Sequence, residues 1–106
     1  MVYDLTIGER FALAAALPQE GNFLALRTAA TLRDKLLPTE AETTEFGIEP
    51  VGDGGLRWRA DAGDIRVGIE VTNAETAAVI DLLRKMDAAE QLTAAHVPLY
   101  ELFVEG

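Results

Sequence analysis

The chain has 106 residues, a net charge of −9 from 18 acidic and nine basic side chains, and no cysteine. This length fits one domain, residues 1–106, with a single modest core. The acidic balance excludes a general DNA- or RNA-binding surface, which needs a basic face, and the missing cysteines exclude disulfides and thiolate metal sites.

Two helices are predicted first. Thr6 and Glu9 have the spacing of a capping box, so a helix begins near residue 7 and ends before Pro18. Asn22 can cap a second helix over residues 23–37. The residues predicted to face inward on this helix are Leu26, Ala29, Ala30, Leu36 and Leu37. Its predicted solvent-facing side consists of Arg27, Thr31, Asp34 and Lys35.

A short third helix and a β-region follow. Thr39 and Glu42 form another capping box, and Gly47 is expected to end the helix that it opens. Three strands are then predicted, over residues 48–51, 56–60 and 65–71. Tight turns join them at Gly52-Asp53-Gly54-Gly55 and Asp61-Ala62-Gly63. Three consecutive strands joined in this way predict an antiparallel meander.

The last predicted strand leads directly into a helix. Residues 65–71 alternate apolar and polar side chains, and the apolar spacing then becomes helical over residues 73–87. Thr72 and Glu75 form a third capping box at the transition. The aromatic side chains of Tyr100 and Phe103 predict a final helical segment that packs on the domain. The fold class is therefore α+β, with N-terminal helices, a three-stranded antiparallel meander and C-terminal helices.

Arg57, Arg59 and Arg66 are the most informative basic residues. Because side chains alternate between the two faces of a strand, these three fall on one side of the predicted hairpin as cross-strand neighbours. Trp58 is predicted to anchor the core on the opposite face. Such a basic face would suit a contact with a second copy of the chain or a small anionic ligand such as a nucleotide. The alternative is an exposed sheet face balanced by nearby acidic residues.

An acidic rim is predicted just before these arginines. Its members are Glu40, Glu42, Glu45 and Glu49. Carboxylates in such a cluster can bind magnesium or calcium, whereas a solvated rim that includes helix caps explains the same residues without a metal. We predict no metal site, because the solvated rim with helix caps is the favoured explanation of these carboxylates. The glycine-rich turns nearby do not fit the ligand order of a calcium-binding loop either.

The chain is poor in catalytic side chains. It contains neither serine nor cysteine, and His96 is its one histidine. The usual nucleophiles for acyl transfer are therefore missing, and a catalytic zinc site would lack its ligands. We predict a protein that is not an enzyme, has no catalytic residues and needs no cofactor.

Several short segments resemble a group of small uncharacterised accessory proteins encoded in bacteriophage and prophage genomes. The segments lie at Leu5-Thr6, Glu9-Arg10, Leu17-Pro18, Glu20-Gly21-Asn22, Leu32-Arg33-Asp34-Lys35-Leu36, Trp58, Ile69-Glu70, Leu92-Thr93, Leu99-Tyr100-Glu101 and Phe103. The resemblance implies a phage accessory protein with a similar small fold. It supplies no catalytic residue.

These observations predict a protein that acts by binding or self-assembly. The expected partner is a second copy or a phage or host protein, as in a virion component, an assembly factor or an inhibitor of host defence. The alternatives are a protein that sequesters a nucleotide signal and an acidic DNA mimic. No apolar run approaches the ~18–20 residues of a membrane span, and no secretory signal opens the chain. We therefore expect a cytoplasmic or virion protein without membrane contact.

Overall fold

The computed structural model describes residues 1–52 and 54–106, so Asp53 of the predicted glycine-rich turn lies outside the described residues. The strands are β1 (Val2–Thr6), β2 (Glu49–Val51), β3 (Gly55–Arg57) and β4 (Arg66–Glu70). The α-helices are α1 (Ile7–Ala16), α2 (Phe23–Leu36), α3 (Glu40–Phe46), α4 (Asn73–Ala88) and α5 (Val97–Phe103). Two 3-10 helices cover Ala60–Asp64 and Ala94–His96. The α+β class is confirmed.

The predicted three-stranded meander is wrong. Residues 1–52 and 54–106 form two separate antiparallel pairs, in which β1 pairs with β4 and β2 pairs with β3. In the first pair the register runs from Val2 opposite Glu70 to Thr6 opposite Arg66. The 3-10 helix between β3 and β4 buries Ala62 completely, where a tight hairpin turn was predicted. This 3-10 helix lies between β3 and β4, and β4 pairs instead with the N-terminal strand β1.

Helix starts follow the predicted caps. In each of three capping boxes a threonine hydroxyl accepts from the backbone N–H of a glutamate three residues on, whose carboxylate accepts in return. The pairs are Thr6–Glu9, Thr39–Glu42 and Thr72–Glu75. Asn22 caps α2 by accepting from the N–H of Ala25 at 2.8 Å. Gly47 ends α3 in the left-handed conformation. These predictions are confirmed because each depends on residues adjacent in the chain.

Two apolar clusters form the interior. The larger one lies between the β1–β4 sheet and helices α1, α2, α4 and α5. Its largest fully buried members include Leu5, Leu13, Leu32, Leu83 and Leu99. The smaller one contains Ile7, Phe46 and Ala62, with Phe11 and Trp58 packed against it. Trp58 is thus half-buried beside the minor cluster and does not anchor the main core.

The C-terminal helix packs on the domain as predicted. Leu99 and Phe103 of α5 are buried, and the Phe103 ring stacks on Tyr3 of β1 with centroids 4.2 Å apart. The first strand and the last helix therefore cover the same side of the main core. Among the helices of residues 1–52 and 54–106, none is both long and apolar enough to cross a membrane.

Candidate functional site

The three arginines predicted to share a basic face lie in different parts of the fold. Arg57 is in β3, Arg59 precedes the 3-10 helix, and Arg66 is in β4, which belongs to the other sheet. Since β3 does not pair with β4, Arg57 and Arg66 are not the cross-strand neighbours that parity predicted. The cross-strand partner of Arg57 is instead Glu49.

Each of these arginines already has a carboxylate partner. Arg57 contacts Glu49 at 2.6 Å, and Arg59 lies 3.6 Å from Asp61. Arg66 contacts Glu9 at 3.1 Å and also donates to a backbone carbonyl of β1. An anionic ligand at any of these positions would have to compete with an ion pair within the same molecule.

The four glutamates of the predicted acidic rim have different surroundings. Glu40 and Glu45 are exposed on α3, whereas Glu42 binds Arg10 and Glu49 binds Arg57. Across the described ranges 1–52 and 54–106, no group of three or more histidine, cysteine, aspartate or glutamate side chains is arranged to hold a metal ion. Two of the four rim carboxylates therefore serve contacts that support the fold.

Arg10 is the most deeply buried charged residue, with 1% of its surface exposed. Its guanidinium donates to both carboxylate oxygens of Glu42, at 2.8 and 3.1 Å, in a bidentate pair. It also donates to the backbone carbonyls of Leu36 and Leu37 at the end of α2, at 2.8 and 3.3 Å. One side chain of α1 thus satisfies carbonyls at the end of α2 and a carboxylate at the start of α3.

The hydrogen bonds from Arg10 hold the pKa of Glu42 below its ordinary value, although burial alone would raise that pKa. Glu75, which is almost fully buried, accepts from Lys35 at 2.7 Å. Burial also acts to raise the pKa of Glu75. The hydrogen bonds from Lys35 and from the Thr72 backbone outweigh it, so this pKa too is lowered. Both carboxylates are therefore stabilised in their charged form.

The three capping boxes formed by a threonine and a glutamate share a feature that local sequence does not reveal. In each box the glutamate that closes the cap also forms an ion pair with a basic residue distant in the chain. The pairs are Glu9–Arg66, Glu42–Arg10 and Glu75–Lys35. Because each carboxylate is engaged by a backbone N–H and a cation at once, these residues fix helix starts in place. We find no arrangement among them typical of a general acid or base.

His96 also has a local structural role. Its Nδ1 accepts the backbone N–H of Thr93 at 2.9 Å and lies 3.1 Å from the Thr93 hydroxyl. This contact closes the short 3-10 helix that precedes α5. The histidine therefore lies at a helix start.

A cleft of about 370 Å³ opens where the α1–α2 connection meets α2 and α4. Apolar side chains, including Leu17, Ala29, Leu32 and Leu82, line it. Other residues at the cleft include Glu20, Asn22, Asp81 and Lys85. Its volume is near the lower end of the range for small-molecule sites. The cleft can accept an apolar group, and the charged side chains of Glu20, Asp81 and Lys85 would contact a group bound there.

The first turn of α2 exposes two large apolar side chains. Phe23 and Leu24 are 78% and 71% exposed, the highest values among the large apolar side chains in the described part of the chain. Neither of them is among the residues that line the cleft. Two neighbouring large apolar side chains that are both exposed favour an interaction surface over a solvated helix. We call Phe23 and Leu24 the α2 apolar pair.

The exposure of Phe23 could have been predicted from helical spacing. Phe23 lies nine positions before the buried Leu32, about two and a half helical turns, and so on the opposite side of α2. Arg27, Thr31 and Asp34 are exposed, as the sequence predicted. Leu26, Ala30 and Leu37 were predicted to face inward but are also exposed. The outer side of α2 is therefore more apolar than the sequence analysis indicated.

The role of Arg10 was also missed, because it depends on Leu36 and Glu42, more than 25 positions away in the chain. No protein-family model, curated protein or solved structure matches this chain. The surfaces described above are therefore the basis for assigning a function.

Proposed function

We propose that this protein is a non-catalytic binding module that works as a homo-oligomer, of the kind expected for a virion or assembly component. The observation that carries the proposal is the α2 apolar pair. The large apolar side chains of Phe23 and Leu24 are exposed to water in the first turn of α2, directly after the N-cap Asn22. Burial of a large apolar side chain against a partner gains about 1.5–3 kcal/mol, so a contact that covers both is favourable.

The charged residues support the same proposal. Arg10, Glu42, Lys35 and Glu75 are engaged in contacts that hold helices together. The hydrogen bonds of these four side chains go to other parts of the fold, so these four are not available as proton donors or acceptors for a reaction. A protein whose strongest ion pairs are structural is better suited to binding than to catalysis.

Sedimentation velocity over a wide concentration range tests the proposal. We expect the wild-type chain to pass from monomer to a larger species as its concentration rises. Phe23→Gln combined with Leu24→Gln should remove that species, because the polar side chains have no apolar surface to bury. Leu56→Gln combined with Val97→Gln is the matched control, since it replaces two exposed apolar side chains away from α2. A wild-type chain that remains a monomer at every concentration would refute self-assembly.

The alternative functions predict different results. A protein that sequesters a nucleotide gains stability from its ligand, by ~2.7 kcal/mol at 100 times Kd. A thermal-shift panel of linear and cyclic nucleotides therefore tests binding at Arg57, Arg59 and Arg66. A DNA mimic would instead compete with DNA for a DNA-binding protein. Self-assembly ranks first because each of these arginines already has a carboxylate partner.

A further inference from the structure

The exposed side of α2 has charged and apolar residues at matching distances on either side of its midpoint. This face consists of the exposed residues Phe23, Leu24, Arg27, Ala30, Thr31, Asp34 and Leu37. They lie at three- and four-residue spacing along one side of α2, ending at the C-terminal cap Leu37, opposite the buried Ala29, Leu32 and Leu36. We call these seven residues the α2 outer face.

Charge and apolarity are arranged on this face around one central point. Arg27 and Asp34 lie equally far from the point between Ala30 and Thr31, on opposite sides of it. Leu24 and Leu37 are also equidistant from that point, and both are exposed. Small side chains therefore occupy the centre, opposite charges flank them, and an apolar residue lies at each end.

Such an arrangement is complementary to itself when two copies meet antiparallel. A two-fold axis through the centre would set Arg27 of each copy against Asp34 of the other, and Leu24 of each against Leu37 of the other. The small side chains of Ala30 and Thr31 allow the two helices to approach closely at the crossing. A two-fold contact uses the same surface on both subunits, which is what a self-complementary face requires.

The polar side chains of the α2 outer face can be buried in this antiparallel contact without being left unpaired. Arg27 and Asp34 form no ion pair in residues 1–52 and 54–106, unlike most of the other basic side chains. The Thr31 hydroxyl donates to the backbone carbonyl of Arg27 at 3.0 Å. Covering Thr31 would therefore leave no unpaired donor, and covering the two charged residues would give each an opposite charge.

We infer that a second copy of this chain docks on the α2 outer face through two-fold antiparallel packing of α2, with two intermolecular Arg27–Asp34 pairs. This inference rests on the proposed self-assembly and specifies its geometry. A contact made mainly by one helix from each subunit falls at the low end of interface size, below about 1,200 Å². The dimer is accordingly weak and forms in a concentration-dependent equilibrium.

Charge reversal tests the geometry. In Arg27→Asp each pair joins two acids, and in Asp34→Arg each pair joins two bases, so each single variant should dimerise roughly tenfold or more weakly than wild type. The double variant Arg27→Asp/Asp34→Arg restores opposite charges and should dimerise again. An equimolar mixture of the two single variants should form a heterodimer, because every contact in it joins an acid to a base.

Arg84→Asp is the matched control, since it makes the same charge change at an exposed position of α4 and should leave dimerisation unchanged. Circular dichroism checks that each variant is folded. Weakened single variants with recovery in the mixture and in the double variant establish the pairing. A wild-type dimer that both single variants leave intact overturns this geometry and preserves self-assembly. Weakened single variants without recovery also overturn it, and a wild-type monomer overturns both proposals.

Discussion

The Arg10 guanidinium donates hydrogen bonds of 2.8 and 3.1 Å to the two carboxylate oxygens of Glu42. The same guanidinium donates through Nε to the carbonyl of Leu36, the last residue of α2. A cation is favourable at the C-terminal end of a helix and an anion at the N-terminal end. This one pair therefore connects α1, the end of α2 and the start of α3, and its loss should be costly.

We predict that Arg10→Met lowers the free energy of unfolding by about 3 kcal/mol, because it leaves a partly buried carboxylate and two helix-end carbonyls without their donor. Urea denaturation followed by circular dichroism measures the change. Glu42→Gln should cost less than Arg10→Met, since the amide oxygen can still accept the Thr39 N–H.

The matched control for Arg10→Met is Arg57→Met, which removes an arginine from the exposed pair with Glu49. Exposed ion pairs contribute about 0–1 kcal/mol, so this variant should unfold close to wild type. Equal losses in the two variants would show that burial of Arg10 does not set the strength of its contacts.

The lowered pKa of Glu75 predicts an acid-sensitive contribution to stability. Since folding lowers this pKa, the unfolded chain binds the proton more tightly, and stability falls as the pH falls. The contribution is fully present above the unfolded value of ~4.3 and is lost as the pH drops through the folded value. Glu75→Gln should therefore show a shallower decline in unfolding free energy across this acidic range than wild type.

Urea denaturation at a series of pH values measures that difference. Glu105→Gln removes an exposed carboxyl and controls for the change in net charge. Lys35→Met should reduce the same acid sensitivity, because Lys35 supplies the hydrogen bond and the charge that lower the pKa. Parallel pH profiles for wild type and Glu75→Gln would contradict the assignment.

Features set by neighbouring residues were predictable from the sequence, whereas strand pairing was not. The Thr39–Glu42 box and the left-handed Gly47 depend on spacings of a few residues, and both form as expected. The partner of β4 lies about 60 residues away, in β1. β1 was not predicted as a strand, although Tyr3 and Leu5 alternate with Asp4 and Thr6, and no local pattern tells β4 to pair there instead of with β3.

The candidate sites also depend on contacts between residues that are distant in the chain, so they could not be predicted from local patterns. The basic face of Arg57, Arg59 and Arg66 was inferred from parity, which holds only if β3 and β4 share a sheet. The 3-10 helix Ala60–Asp64 lies between these strands, and they belong to different sheets. Ion pairs such as Glu42–Arg10 join residues from different elements, so they become visible only once the helices are in place.

Gly47 provides a test of backbone strain. Its φ of 65° lies in the left-handed region, and a Cβ there would come within 2.9 Å of Arg59 Cγ. We predict that Gly47→Ala lowers the free energy of unfolding by about 1–2 kcal/mol, with most of the cost in the backbone because the Arg59 side chain can move. Gly52→Ala is the control, since its Cβ would meet nothing within 4 Å. A similar loss in both variants would rule out strain as the cause.

Trp58 is the one tryptophan of the chain, so its fluorescence reports on the smaller apolar cluster. Its ring stacks on Phe11 with centroids 5.8 Å apart. We predict that Phe11→Ala shifts the Trp58 emission to longer wavelength and lowers the free energy of unfolding by about 2 kcal/mol, because the indole loses its aromatic neighbour and gains contact with water. Phe23→Ala removes a ring that is already exposed and should change neither quantity for the monomer. An unchanged emission maximum in Phe11→Ala would mean that other side chains shield Trp58 from solvent.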